Sequence, residues 1–361
     1  MLTHKIQVLV VDDSAFMRKI ISELLTEDPE IEVIGTARNG ADSLKKIEEL
    51  KPDVVTMDIE MPVLDGISTL REIMERFPLP VIMLSSLTQE GAKETIKALE
   101  LGAVDFISKP SGTISLDIHK VKDELLEKVK IAARCKGKIM ANQSQEKALD
   151  HQSKSALPVR EWHASHKSAQ LQTIIAIGTS TGGPRALQNV LIGIPKDIPA
   201  PIVIVQHMPQ GFTKSLAERL DSLCEIRVVE AVDQMPLEKG VAYIAPGGNQ
   251  MGVVEDGGKY HLHIDKQAEP VSGHKPSVDY LFHSVAALSI PKKIIVIMTG
   301  MGGDGSKGLI AIKQKEAYAI AEAESTCVVF GMPKVAIQTG KVDKVLPVDQ
   351  IAAQIVNYVH L

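Results

Sequence analysis

The chain is poor in cysteine and in aromatic residues, and it has no long apolar run. Its three cysteines, Cys135, Cys224 and Cys327, lie far apart without CxxC or Cys/His spacing. That argues against a disulfide framework and a zinc site, and fits reduced thiols in a cytoplasmic protein. Aromatic residues make up only 3% of the chain. The cores must therefore be built from Val, Ile, Leu, Met and Ala, which suits parallel sheets covered by helices. No stretch approaches the roughly 20 apolar residues that span a bilayer. The opening segment MLTHKIQVLVVDDS ends its apolar run in two aspartates, unlike a signal peptide, so no membrane insertion is expected. Positive charge is not in excess either: 40 Lys plus Arg against 45 Asp plus Glu give a net −5. With no Lys/Arg-dense stretch, nucleic acid is not an expected partner.

What the chain has is length and a recurring strand–helix pattern. Its 361 residues exceed what one hydrophobic core usually serves, so two domains are expected. The runs QVLVV, VIGTA, DVVTM, PVIMLS and VDFIS alternate with helical segments such as SAFMRKIISELLTE. This predicts a doubly wound α/β domain with five parallel strands over residues 1–125. The helix VKDELLEKVKIAA closes the pattern near residue 133, and from residue 136 to about 170 the composition turns polar. Residues 126–170 thus read as a helix end and a flexible linker, in which Trp162 is expected to pack against one domain. A second pattern over 171–361 runs through TIIAIG, PIVIVQ, KKIIVIMTG and AYAIAE, with GVVEDGGKYHLHI between them. It predicts a doubly wound α/β domain carrying an antiparallel hairpin.

Ligands of open parallel sheets bind at the carboxyl ends of the strands. In the first domain those ends deliver Asp12 and Asp13, Asp58, Ser85, and Lys109 followed by Pro110. Three converging carboxylates repel one another, and a hard cation such as Mg²⁺ relieves that repulsion. A hydroxyl and an ammonium beside them are suited to phosphoryl oxygens. The pieces VVDDS, MDIEMPVLDG, MLSS and SKP resemble the receiver domain of two-component response regulators. The resemblance implies a flavodoxin-like fold for this domain, with Asp58 as the phosphoacceptor. Asp12, Asp13 and Asp58 would serve Mg²⁺, Asp12 through its water shell, with the Glu60 carbonyl as a further ligand. Ser85 and Lys109 would bind the phosphoryl group.

In the second domain the first strand enters Gly178-Thr179-Ser180-Thr181-Gly182, a GxSxG turn before a helix. Glycines around the serine permit a sharp turn that presents its hydroxyl at a helix N-terminus. A serine nucleophile needs an oriented base. Other strand ends supply His207, in Gln206-His207-Met208-Pro209, and Asp304, in the loop that opens at Gly300. The order Ser180, His207, Asp304 differs from that of α/β-hydrolases, so that fold is not implied. His261 and His263 alternate along the hairpin strand with no such partner; His274 precedes a helix, and a place bordering the site is the lesser alternative for it. A rival reading stays open here. Gly300, Gly302 and Gly305 satisfy GxGxxG, and Glu322 falls 20 residues beyond Gly302, where a dinucleotide-binding domain places its ribose acid. Against it, Asp304 would face a pyrophosphate, and Ser180 and His207 would have no task.

The pieces IGTSTGG, QHMPQGFT, YIAPGG, HKPSVDYLFHS, TGMGGDG and CVVFGMPK occur in that order between residues 173 and 340. Together they resemble the protein-glutamate methylesterases of bacterial chemotaxis, the CheB family. The resemblance implies a serine hydrolase with Ser180, His207 and Asp304 as its triad and no cofactor for ester hydrolysis. Its substrates would be methyl-glutamate residues, and in many members glutamines, of methyl-accepting chemotaxis receptors. The chemotaxis histidine kinase would donate the activating phosphoryl group. The alternative class is a non-enzymatic response regulator whose C-terminal domain binds a nucleotide or a partner.

Overall fold

The structure, a computed structural model, describes residues 5–109, 118–146 and 171–360. The chain divides into two compact units, Met1–Gln152 and Ser153–Leu361.

In the first unit β1 (Ile6–Val11), β2 (Ile31–Ala37), β3 (Val54–Asp58), β4 (Val81–Ser85) and β5 (Asp105–Ser108) form one sheet in the order β2-β1-β3-β4-β5. All its pairings are parallel, as expected of a flavodoxin-like sheet. Val8, Leu9, Val10 and Val11 are fully buried, because helices cover both faces and leave no solvent side for a polar residue. Each such side chain contributes about 1.5–3 kcal/mol relative to exposure. The helices are α1 (Ala15–Thr26), α2 (Gly40–Leu50), α3 (Gly66–Arg76), α4 (Gln89–Glu100) and α5 (Ile118–Glu146). Side chains of Ser14, Asn39, Asp65 and Thr88 start the first four, each accepting from a backbone N–H of the first turn. Helix α5 runs well past the end expected near residue 133. Residues 136–146 have no sustained apolar stripe, but Lys, Met, Ala, Gln and Glu among them favour the helix intrinsically. Trp162 and the remainder of the expected linker lie outside the described residues.

The second unit begins with β6 (Thr173–Thr179), α6 (Gly183–Ile192), β7 (Ile202–Gln206), α7 (Phe212–Leu223), β8 (Arg227–Glu230) and β9 (Val241–Ile244). The hairpin β10 (Gln250–Asp256) and β11 (Lys259–Asp265) follows as a separate antiparallel sheet, paired from Gln250↔Asp265 to Asp256↔Lys259. Then come α8 (Val278–Ala287), β12 (Lys292–Ile297), α9 (Ser306–Lys313), β13 (Tyr318–Glu322), α10 (Met332–Gln338), β14 (Lys344–Leu346) and α11 (Val348–His360). The main sheet is parallel, in the order β14-β13-β12-β6-β7-β9-β8. The chain builds outward from β6 through β7, then returns to the other side of β6 with β12. That reversal puts a topological switch point, the usual crevice of such sheets, beside β6. No helix among the described residues is long and apolar enough to cross a membrane.

Candidate active site

Three neighbouring strands of the second sheet, β12, β6 and β7, carry Asp304, Ser180 and His207 in the turns at their C-terminal ends. The last register pair of β6 and β7 is Thr179↔Gln206, so Ser180 and His207 are the next residues on adjacent strands. His207 N donates to Thr179 O at 3.1 Å. The Gln206 amide nitrogen donates to Ser180 O at 2.9 Å and to His207 O at 3.1 Å, clamping both turns. Ser180 N in turn donates to Thr299 O at 3.0 Å, which ties the serine to the β12 loop. Gly300 packs so closely there that a Cβ on it would lie 2.7 Å from the Ser180 Cβ.

His207 Nε2 donates to Asp304 Oδ2 at 2.8 Å. An ionised carboxylate only accepts, so this bond puts the proton on Nε2 and leaves Nδ1 as the basic nitrogen of the neutral ring. Nδ1 is buried and has no hydrogen-bond partner among the described residues. The His274 ring stacks on His207, with centroids 3.8 Å apart and planes 10° from parallel. Burial, followed by the neighbouring His207 charge, pushes the His274 pKa down to about 4, so the stacking partner is neutral near pH 7.

Asp304 is completed by the start of α8. Its Oδ1 accepts from Ser277 Oγ at 2.9 Å and Asp279 N at 2.9 Å, and its Oδ2 from Val278 N at 2.7 Å. Gly305 N adds a bond at 3.0 Å. Burial by itself would raise this carboxyl, but the His207 hydrogen bond and charge and the backbone donors win, bringing it down to about 2. Ser277 and Gln206 carried no role in the sequence reading. A serine that caps a helix and a glutamine next to the base were the visible signals. Of the GxGxxG loop itself, Gly305 N is a donor to Asp304; the remaining backbone donors come from α8. The Glu322 carboxylate accepts from Thr299 N and Thr326 Oγ1 inside the protein. His263 stands apart from these contacts, 3.5 Å from Asp233.

The strand ends of the first sheet also converge. Lys109 Nζ lies 2.7 Å from Asp58 Oδ2 and 3.0 Å from Asp12 Oδ2. Oxygens of Asp12, Asp13 and Asp58 all lie within 4.8 Å of one another. Asp12 and Asp58 are buried and Asp13 is exposed, which makes a hard oxygen set open on one side and suited to Mg²⁺. Burial raises the Asp58 pKa to about 6 against the opposing Lys109 hydrogen bond and charge, and the Asp12 charge adds to the rise. Burial would lower Lys109, but the hydrogen bond and charge of Asp58 reverse this and raise it. The Ser85 hydroxyl is turned toward α4, accepting from Thr95 Oγ1 at 2.6 Å and lying 3.2 Å from Gly91 O.

A family model described as CheB methylesterase matches residues 175–355, and one described as response regulator receiver domain matches residues 8–119. The chain belongs to the CheB methylesterase family. It is 56% identical over 353 residues to a protein-glutamate methylesterase/protein-glutamine glutaminase of Halalkalibacterium halodurans, covering 98% of each chain. Identity to a Bacillus subtilis protein of the same name is 51% over 355 residues, again over 98% of each. The crystal structure of the Thermotoga maritima CheB methylesterase catalytic domain matches with 46% identity and a TM-score of 0.50, covering 51% of this chain and 97% of that one. Full-length likeness to enzymes of the CheB family removes the nucleotide-binding and adaptor readings of the second unit.

Proposed function

We propose that this CheB-family chain is a cytoplasmic, phosphorylation-activated serine hydrolase that demethylates methyl-glutamate residues of chemotaxis receptors and deamidates receptor glutamines. The observation that carries the reading is the Asp304–His207 pair, with a buried basic Nδ1, next to Ser180 at the switch point of the sheet. Nδ1 of His207 takes the Ser180 hydroxyl proton as Oγ attacks the ester carbonyl. Backbone N–H groups of the turn after Ser180 and of the loop near Met301 hold the oxyanion. The imidazolium, stabilised by the fixed charge of Asp304, returns the proton to the leaving methoxide, and methanol departs. Water then attacks the acyl-enzyme with His207 again as base, releasing the glutamate carboxylate and regenerating Ser180. A glutamine side chain follows the same course with ammonia as leaving group.

In the receiver unit Asp58 is the proposed phosphoacceptor, with Ser85 and Lys109 binding the phosphoryl oxygens. Asp13, Asp58 and the Glu60 carbonyl would hold Mg²⁺, and Asp12 its water shell. The ion would neutralise charge on the phosphoryl group being transferred. The chemotaxis histidine kinase is the proposed phosphodonor. A serine-directed electrophile should attach to Ser180, as read by mass spectrometry, and methylated receptor should release methanol faster once Asp58 is phosphorylated. Attachment elsewhere, or methanol release that ignores the phosphodonor, would overturn the corresponding half.

A further inference from the structure

We propose that Glu322 is a positioning residue for Ser180, acting through Thr299; this rests on the esterase reading above. Glu322 ends β13 and is 1% exposed. A carboxylate withdrawn from water in this way needs donors, and two are supplied by loops. Thr299 N donates to Oε2 at 2.7 Å, and Thr326 Oγ1 donates to Oε1 at 2.9 Å. Both oxygens are thus directed at protein groups, which fits an internal brace and not the ribose contact its position in the sequence suggested.

Thr299 passes the constraint to both flanks of the nucleophile. Its carbonyl accepts from Ser180 N and from Thr179 Oγ1, both at 3.0 Å, and its hydroxyl donates to Thr181 O at 2.9 Å. Three consecutive residues centred on Ser180 are therefore bound to one threonine, whose amide is bound to Glu322. Thr299 is also the last residue before the glycine-rich loop that carries Asp304 to His207. Gly302 and Gly305 in that loop have φ of 74° and 92°. Such a loop is flexible unless its root is held. The hydrogen bond that Glu322 accepts from Thr299 N, made away from water, fixes that root. Glu322 thereby sets the spacing between Ser180 Oγ and His207 Nδ1 without touching either.

The test uses the full-length protein and two readouts, methanol release per active site and the labelling rate of Ser180 by a fluorophosphonate probe. Sites are counted by probe incorporation, so a loss of folded protein does not register as a loss of rate. E322A should lower kcat per site about 30- to 100-fold with KM within about twofold, since small displacements of a nucleophile are costly in rate and not in binding. Labelling should slow in parallel. E322Q can keep an acceptor on Thr299 N and place its amide at Thr326 Oγ1, so it should restore most of that loss, leaving about a threefold deficit. T299V, which removes the hydroxyl's bond to Thr181 O and its acceptor for Val329 N, should cost about 10-fold and should add little to E322A. An unchanged per-site rate in E322A would overturn the proposal. So would E322Q as slow as E322A, because the hydrogen bonds would then not be what matters. If E322A does not fold, a folded E322D, whose shorter side chain cannot span Thr299 N and Thr326 Oγ1 together, overturns it instead if it has the wild-type per-site rate. Wild-type protein that the probe does not label at Ser180 would sink the esterase reading beneath it.

Discussion

Asp58 and Asp304 are equally hidden from water, each 3% exposed, and each stands at the C-terminal edge of a parallel sheet. Their surroundings drive them in opposite directions, Asp58 up to about 6 and Asp304 down to about 2. Burial raises both, so the difference lies in the donors. Asp304 receives one hydroxyl, three backbone N–H groups and the His207 ring. Asp58 has Lys109 at 2.7 Å and a long 3.4 Å bond from Glu60 N. An aspartate supplied by the polypeptide becomes a permanent charge that can orient a base. One left short of donors has capacity for a cation and a phosphoryl group.

Helix starts repeat the contrast. In the receiver unit, side chains of Ser14, Asn39, Asp65 and Thr88 occupy first-turn N–H groups. In the second unit α6, α7 and α9 begin at Gly182, Gly211 and Gly305, all at positive φ, with no side-chain cap. A glycine there permits the tight turn and lets a ligand approach the helix N-terminus.

The most severe way to break the comparison is to remove the charge that, in the proposed mechanism, orients the base. Asp304→Asn should lower kcat for methanol release by about 10³- to 10⁴-fold while Asp58 still labels from a small phosphodonor. Ser180→Ala and His207→Ala should do the same, and the combined losses should be far from additive. Retention of activity in Asp304→Asn would show that the donor-rich aspartate has no part in the chemistry.

Stability separates the two aspartates by sign. The folded pKa of Asp58, about 6, lies above its unfolded value, so ionisation disfavours the fold increasingly as pH rises from about 4 to 6. Asp58→Asn should therefore stabilise the receiver unit at pH 7 without divalent metal by about 1–2 kcal/mol, discounted for partial solvent screening, and should abolish labelling. Asp304 has its folded pKa below the unfolded one, so its contribution is present above about pH 4 and is lost as pH falls toward 2. Asp304→Asn should destabilise the second unit at pH 7 by about 2 kcal/mol. Denaturant titrations read separately for each unit would check both signs, and a shared sign would mean that donor number is not the cause.

His274 sharpens the picture of the base. His274→Ala should cost about 10-fold in kcat and His274→Phe less, because a ring of either kind can stack on His207. Equal losses would show that the imidazole nitrogens matter and the stacking does not. The smallest effect belongs to the caps. Thr88→Ala should destabilise the receiver unit by about 1 kcal/mol in the same titrations, whereas Gly211→Ala, at φ 91° with open space around it, should destabilise the second unit through backbone strain alone.

The strands that were legible are the continuous β-branched runs, TIIAIG or PIVIVQ, whose burial on both faces writes itself into composition. Strands β8, β9 and β14 were not assigned: RVVE and KVL are short edge segments with exposed positions, and VAYI, though buried inside the sheet, is only four residues long and shows no period to read. The extension of α5 was missed for the converse reason, since intrinsic propensity continued a helix that shows no sustained apolar stripe. Ser180, His207 and Asp304 could be named because each follows a strand, and strand ends are where open sheets place chemistry. Gln206, Ser277 and Thr299 were given no role, since their part lies mainly in hydrogen bonds to turns distant in sequence.

By itself, the sequence determined the two α/β units, the residues at each strand end and the family, because period, turn glycines and motif order are local properties of the chain. The strand order that makes β12, β6 and β7 neighbours was decided only in three dimensions. So were the choice of Nε2 for Asp304, the stacking of His274 and the opposite electrostatics of two equally buried aspartates. Those depend on which donors reach a given oxygen, and donors come from segments such as Ser277–Asp279 that only the packed sheet and α8 bring to the site.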